Sequence, residues 1–105
     1  MKCVVWMGRS KEDLKALPVS VQQAAGFELH RVQIGQAPSD WKPMTTVGPG
    51  IREIRLKEAS GAYRVLYVTS IGTQIYVLHC FQKKAQKTGL QDLRLAQERY
   101  RQIPR

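Results

Sequence analysis

Three apolar runs follow one another closely in the second half of the chain, and their spacing constrains the fold more than any other feature. Residues 51–57, 63–69 and 74–81 are rich in β-branched and aromatic side chains, as strands are. The connections at 58–61 and 70–73 are short, and each contains a glycine. Connections of this length join antiparallel neighbours, so the sequence predicts a three-stranded meander.

The first half of the chain predicts one strand and two helices. Residues 2–7 form a short apolar run that is typical of a strand. Ser10 and Asp13 have the spacing of a capping box, which predicts a helix start, and Pro18 ends that helix. In residues 19–34 apolar side chains recur at helical spacing, which predicts a longer helix paired with the first as a hairpin.

A proline-rich and glycine-rich connection separates this hairpin from the meander, and a helix follows the meander. The breaks within residues 36–50 indicate an ordered connection, which Trp41 and Met44 fix to the core. Thr88 and Gln91 again have capping-box spacing and predict the start of a last helix. The apolar stripe of that helix comprises Leu90, Leu93, Ala96, Tyr100 and Ile103.

These elements together predict an α+β fold with an N-terminal strand, a helical hairpin, an antiparallel β-meander and a C-terminal helix. A chain of 105 residues is long enough for one core, so a single domain over residues 1–105 is expected. No run approaches the roughly 18 apolar residues of a membrane span. We therefore expect a cytoplasmic protein that does not interact with membranes.

The charge balance indicates an acidic partner. The net charge is +9, from 17 Lys and Arg residues against 8 Asp and Glu residues, which suits nucleic acid, an acidic protein or an anionic surface. Carboxylates are too few for paired-carboxylate or two-metal hydrolysis, so any nuclease activity is expected to need no metal and no cofactor. Cys3 and Cys80 lie in apolar runs without metal-ligand spacing, which predicts buried free thiols.

One arginine interrupts an otherwise apolar strand. Arg64 shares a predicted strand face with Leu66 and Val68, where a lone charge is costly unless it faces a site or a partner. On the preceding strand Arg55 and Lys57 share the face opposite to Arg52. These cations are candidates for binding phosphates. For the cations of the preceding strand, a solvent-exposed row of charges without a binding role is an equally good explanation. The sequence leaves open whether Arg55 and Arg64 share a face.

A lysine-rich segment follows the last predicted strand. Phe81 with Lys83, Lys84 and Lys87 combines an aromatic surface with cations, as single-stranded nucleic acid requires, although Phe81 could equally belong to the core. His79 precedes them between two apolar residues and is expected to be a packed, hydrogen-bonded histidine rather than an acid or base.

Several of these motifs together resemble the HigB-type branch of the RelE/ParE toxins of type II toxin–antitoxin systems. The motifs are GIREIR at residues 50–55, YRVLY at 63–67 and LHCFQKK at 78–84, followed by a Lys-Thr helix start. WKPM at residues 41–44 and LAQERY at 95–100 fit the same branch. The similarity covers almost the whole chain and implies a RelE/ParE-like fold.

The resemblance implies a ribosome-dependent messenger RNA endonuclease, in which the ribose 2′-hydroxyl attacks the adjacent phosphate. Arg64 aligns with the strand arginine of the family, and Arg55 or Lys57 with a catalytic strand lysine. The resulting catalytic candidates are Arg64, Arg55, Lys57 and Lys84, and the RNA-binding candidates are Phe81, Lys83, Lys87 and Arg52. Glu53 is a departure, because it replaces a cation found in some relatives.

The resemblance also implies two kinds of partner. One is a helix-turn-helix antitoxin, and the other is the ribosome with its mRNA. Two alternatives from other classes remain open at the level of sequence: a ParE-like toxin that binds DNA gyrase without catalysis, and a basic RNA-binding module without cleavage.

Overall fold

A five-stranded mixed sheet organises the computed structural model, which describes residues 1–104. Three helices complete this part of the chain, so the predicted α+β class is confirmed. The elements in chain order are β1 (Cys3–Trp6), α1 (Ser10–Lys15), α2 (Val19–Gln33), β2 (Trp41–Pro43), β3 (Ile51–Glu58), β4 (Gly61–Val68), β5 (Gln74–Lys83) and α3 (Leu90–Arg101). Among the described residues, no helix has both the length and the apolar character needed to cross a membrane.

The strand order is β1-β5-β4-β3-β2. Strands β3, β4 and β5 form the predicted antiparallel meander, and β1 pairs in parallel with β5 at one edge. The N-terminal strand β1 therefore pairs with the edge strand of the meander, β5. Where β1 ends, α1 continues along β5, since both the Met7 amide and the Ser10 hydroxyl donate to the carbonyl of Val77.

The sheet has a separate apolar core on each face. On the hairpin face, which α1 and α2 cover, Val21, Ala25 and Leu29 pack against side chains such as Val65 and Tyr67. On the α3 face, α3 and the connection before β3 cover only part of the surface. The residues packed there include Val47, Ile51, Leu66, Leu78 and Ala96. The remaining part of the α3 face carries polar and charged residues.

A bulge in β5 sets which side chains reach each face. Leu66 pairs with His79, whereas the next residue, Tyr67, pairs with Val77, so Leu78 is an extra residue in β5. Leu78 and Phe81 both belong to the core of the α3 face, and Cys80 belongs to the core of the hairpin face. Strict alternation along β5 would have placed Cys80 on the α3 face and Phe81 on the hairpin face.

Both predicted capping boxes are wrong. The N-cap of α1 is Arg9 and that of α3 is Gly89, and neither makes a side-chain capping bond. Ser10 is fully buried, and its hydroxyl donates to the carbonyl of Val77 at 3.1 Å instead. A bond to the neighbouring strand therefore competes successfully with the local capping bond.

Three further expectations need correction. The connection at 36–50 contains a short edge strand, β2, which lies antiparallel to β3. Cys3 is exposed because it begins the edge strand β1, and only Cys80 is buried. Leu90 is 62% exposed at the first position of α3, although Leu93, Ala96, Tyr100 and Ile103 do pack against the sheet as predicted.

Candidate functional site

Two arginines lie directly opposite each other on the uncovered part of the α3 face. The register pairs Arg55 on β3 with Arg64 on β4, and Arg64 with Phe81 on β5. The two-residue turn between β3 and β4 fixes this pairing, which the sequence left open. The side chain of Arg64 is 12% exposed and that of Arg55 is 38% exposed. Arg64 also donates from Nη1 to the Tyr63 carbonyl at 2.9 Å, which restrains its guanidinium.

A row of two lysines and an alanine lies next to the arginines. Lys57, Ala62 and Lys83 occupy paired positions on β3, β4 and β5, so the small alanine lies between two ammonium groups. Adjacent strands lie about 4.8 Å apart, so the two lysine backbones are separated by about 10 Å. The arginines and lysines therefore surround a shallow floor at Ala62.

Two open depressions adjoin Arg64. The first, of about 430 Å³, has a lining that includes Arg55, Lys57 and Ala62, with Asp40 at its margin. The second, of about 500 Å³, is lined by Arg64, Ala62, Lys83 and Lys84 together with Ala85 and Gln86. Arg64 and Ala62 line both depressions, so a chain of phosphates lying across the sheet would pass over Arg64.

Glu53 lies at the centre of the cations and was not among the predicted site residues. Its side chain has no exposed surface, and its Oε1 lies 3.5 Å from Arg64 Nε, 3.8 Å from Lys42 Nζ and 3.9 Å from Arg55 Nε. Within residues 1–104 neither carboxylate oxygen has a hydrogen-bond partner. We call Glu53, Lys42, Arg55 and Arg64 the Glu53 cluster. The only sequence signal for it was a carboxylate two positions from Arg55, on the same strand face.

The surroundings of Lys83 lower the pKa of its ammonium group. Partial removal from water lowers the pKa of Lys83, the charge of Arg64 lowers it further, and Lys42 and Arg55 act in the same direction. Glu53 opposes the shift. A lysine with a lowered pKa exchanges a proton more readily near neutral pH than an ordinary lysine does.

Of the other predicted site residues, some lie near Arg64 and others do not. Lys84 and Lys87 are exposed on the segment that follows β5, beside the second depression and a smaller one next to it. Phe81 is only 7% exposed and therefore offers little free ring surface for a base. Arg52 lies on the opposite sheet face, with its guanidinium 4.3 Å from the ring centroid of Trp41. The structure thus brings together Arg64, Arg55, Lys57, Lys83 and Lys84, but not Arg52.

A buried polar network borders the site and confirms the packed role predicted for His79. His79 Nε2 lies 2.8 Å from Asp92 Oδ1, and its ring stacks on Phe81 with 4.7 Å between centroids. Arg99 donates from Nη1 to Asp13 and to the Leu78 carbonyl, both at 2.9 Å. This network joins α1, β5 and α3, and it holds in place the Phe81 ring beside Arg64.

Tyr100 packs against the connection before β3, where its ring lies beside Gly48. Its hydroxyl donates to the Pro49 carbonyl at 3.0 Å, which ties α3 to the connection before β3. Within residues 1–104 no group of three or more His, Cys, Asp or Glu side chains is arranged to hold a metal ion.

This fold and site define a small basic α+β protein with a cationic face on its sheet. The profile of one family, Phage derived protein Gp49-like (DUF891), matches residues 12–101. The chain belongs to this family, which is associated with toxin–antitoxin systems and is RelE-like. Membership implies an antitoxin as a partner. A comparison with curated proteins found no match.

Proposed function

We propose that this protein is a HigB-type toxin that cleaves messenger RNA on the ribosome. The observation that carries the proposal is the position of Arg64 between two open, lysine-lined depressions. A single-stranded RNA that crosses the sheet there presents a phosphate to Arg64 and Arg55 and neighbouring phosphates to the lysines. Toxin–antitoxin association of the family supports the same class of function.

In the proposed reaction the ribose 2′-oxygen bonds to the adjacent phosphorus and the bond from phosphorus to the 5′-oxygen breaks. Negative charge accumulates on the non-bridging oxygens as the phosphorus becomes five-coordinate. Guanidinium groups donate to such oxygens in a fixed, planar geometry, so Arg64 and Arg55 stabilise the transition state. The products are a 2′,3′-cyclic phosphate and a free 5′-hydroxyl.

Two protons move in this reaction, one from the 2′-hydroxyl and one to the departing 5′-oxygen. Lys83 is the proposed donor to the leaving oxygen, because it lines the same depression as Arg64 and its pKa is lowered. The proton of the 2′-hydroxyl passes to solvent water, and Lys57, on the other side of Ala62, is the candidate to stabilise the resulting 2′-oxyanion by its positive charge. Lys84 and Lys87 would hold flanking phosphates of the mRNA or of ribosomal RNA.

The test is to express the chain in bacteria without an antitoxin gene and to map mRNA 5′ ends. Wild type should arrest growth and create new ends within translated codons. Arg64→Ala should lower cleavage by about 100-fold or more, because a single pre-positioned charge donor is worth that much in a transition state. Arg101→Ala is the matched control, since Arg101 is a 73% exposed arginine on α3, and it should cleave as wild type does.

Other outcomes would point to other functions. Growth arrest with intact mRNA and induction of DNA damage would indicate a ParE-like inhibitor of gyrase. Salt-sensitive RNA binding without cleavage on ribosomes would indicate a binding module. New mRNA ends that persist in Arg64→Ala would contradict the role given to that arginine.

A further inference from the structure

The fully buried carboxylate of Glu53 contacts three cations and yet makes no hydrogen bond within residues 1–104. We propose that Glu53 is a positioning residue, an internal counter-ion that holds Arg64 and Arg55 in place and competes with the substrate phosphate for them. The catalytic part of this inference rests on the proposed function.

The burial of Glu53 excludes it from direct proton transfer in this arrangement. A general base must come within about 2.6–3.2 Å of the proton it removes, or act through one water. Glu53 has no exposed surface, and Lys42, Arg55 and Arg64 surround its carboxylate. The carboxylate therefore acts through the arginines and not on the RNA itself.

The contacts of Glu53 differ from those of a stabilising ion pair in the same protein. Arg99 and Asp13 make a direct charge-assisted hydrogen bond at 2.9 Å, whereas the shortest contact of Glu53 is 3.5 Å. Both carboxylate oxygens, and the Nε atoms of Arg55 and Arg64, are buried without hydrogen-bond partners inside the described chain. Buried groups left unpaired cost free energy, and such costs are typical of functional sites.

Without Glu53 the two arginines would repel each other. Arg55 and Arg64 occupy directly opposite positions on neighbouring strands, where like charges are destabilising. One carboxylate oxygen lies within 4 Å of both guanidinium groups and thus keeps their charges close together. Neither contact is a charge-assisted hydrogen bond, so a phosphate that makes such bonds can compete with Glu53 for the arginines.

This role predicts opposite effects on binding and on catalysis. When Gln replaces Glu53, no internal anion competes for the arginines, so RNA should bind more tightly. The arginines should also separate, so the chemical step should be slower. A carboxylate that only stabilised the fold would not produce this combination.

The experiment measures both quantities with the full-length chain. Single-turnover cleavage of mRNA on programmed ribosomes gives the maximal rate and the half-saturating concentration. Fluorescence anisotropy with a short single-stranded RNA, 2′-O-methylated so that it resists cleavage, gives the affinity. For Glu53→Gln we expect affinity to rise by about threefold or more and the maximal rate to fall by about tenfold to 100-fold.

Two further variants separate the counter-ion role from a general effect of net charge and from a loss of folding. Glu98→Gln changes the net charge equally on the exposed surface of α3, and both quantities should stay within about twofold of wild type. Glu53→Asp keeps the charge but withdraws it by one methylene, so affinity should stay near wild type while the maximal rate falls. Thermal unfolding verifies that each variant is folded. If Glu53→Gln does not fold, the results for Glu53→Asp decide the proposal.

Each outcome decides the proposal. Equal tightening in Glu98→Gln, or weaker RNA binding by folded Glu53→Gln, would overturn it, as would a maximal rate unchanged in either Glu53 variant. If wild type does not cleave mRNA, the proposed function fails. The anisotropy measurement then decides the counter-ion role alone, and unchanged or absent RNA binding in Glu53→Gln would overturn that as well.

Discussion

Arg99 on α3 donates a hydrogen bond of 2.9 Å to Asp13 on α1, although 86 residues separate them in the chain. The same Nη1 atom also donates to the carbonyl of Leu78 at 2.9 Å, in the bulge of β5. One guanidinium thus joins the first helix, the last helix and the strand between them. Arg99 is 7% exposed, so this junction is largely removed from water.

Replacing Arg99 with Met should destabilise the protein strongly. The change leaves the Asp13 carboxylate and the Leu78 carbonyl without their donor, and breaking a buried charge pair costs about 3–5 kcal/mol. Because the side chain of Asp13 is 29% exposed, we expect about 2–4 kcal/mol in the free energy of unfolding, measured with urea. Arg101→Met is the control and should cost less than about 0.5 kcal/mol. Equal stability of the two variants would contradict a structural role for the junction.

Gly8→Ala should cost more stability than Gly72→Ala. Both glycines have positive φ, +53° at Gly8 and +60° at Gly72, so a side chain is strained at either position. Only at Gly8 does an added Cβ meet another group, 2.6 Å from Arg99 Nε, whereas nothing lies within 4 Å at Gly72. The difference between the two variants, about 1 kcal/mol or more, therefore isolates the displacement of Arg99. Equal unfolding free energies of the two variants would show that Arg99 can move away from the added Cβ without a loss of stability.

The pH dependence of cleavage should depend on the surroundings of Lys83. If its ammonium protonates the leaving oxygen, the rate falls as pH rises through its pKa, and the lowered pKa places this fall at lower pH than for an ordinary lysine. Lys42→Gln removes a charge that lowers the pKa, so the fall should move to higher pH. Glu53→Gln removes the charge that raises the pKa, so the fall should move to lower pH. Single-turnover rates across pH test both signs, and an unchanged fall in Lys83→Gln would exclude Lys83 as the donor.

Arg52→Ala should affect stability without affecting cleavage. Arg52 lies on the hairpin face against Trp41, so the change removes a cation–π contact worth about 0.5–1 kcal/mol. The cations of the site lie on the α3 face and keep their positions. Arg64→Ala, measured alongside for cleavage on ribosomes, should instead lose cleavage. A loss of cleavage in Arg52→Ala with unchanged stability would support the RNA-binding role first assigned to Arg52.

Local periodicity predicted most of the fold but not how the strands align with one another. The meander, the long helix and the face of Arg64 all follow from spacing within one element, and the structure agrees with them. The pairing of Arg55 with Arg64 depends on the turn between their strands, which local spacing did not determine. The Glu53 cluster follows from that pairing, so no sequence pattern grouped Glu53 with Arg64.

The features that the sequence did not predict correctly depend on contacts between residues far apart in the chain. Ser10 has the spacing of a helix cap, but a carbonyl 67 residues away accepts its hydroxyl. Strand β2 has only three residues and ends at Pro43, so it carries no periodicity of its own and forms only by pairing with β3. The catalytic and RNA-binding assignments remain predictions, which cleavage assays on the Arg64, Lys83 and Arg52 variants address.

The extra residue at Leu78 determines which side chains in the second half of β5 lie on the same sheet face as Arg64. Before it, alternate residues of β5 contribute to the two cores, and after it the alternation is shifted by one position, so that Phe81 and Lys83 join Arg64. If Leu78 instead paired with Leu66 in regular alternation, Cys80 and Gln82 would occupy the cationic face, and Phe81 and Lys83 would lie on the hairpin face. The chemistry of the site thus depends on a single added backbone unit in a strand whose composition gives no sign of it.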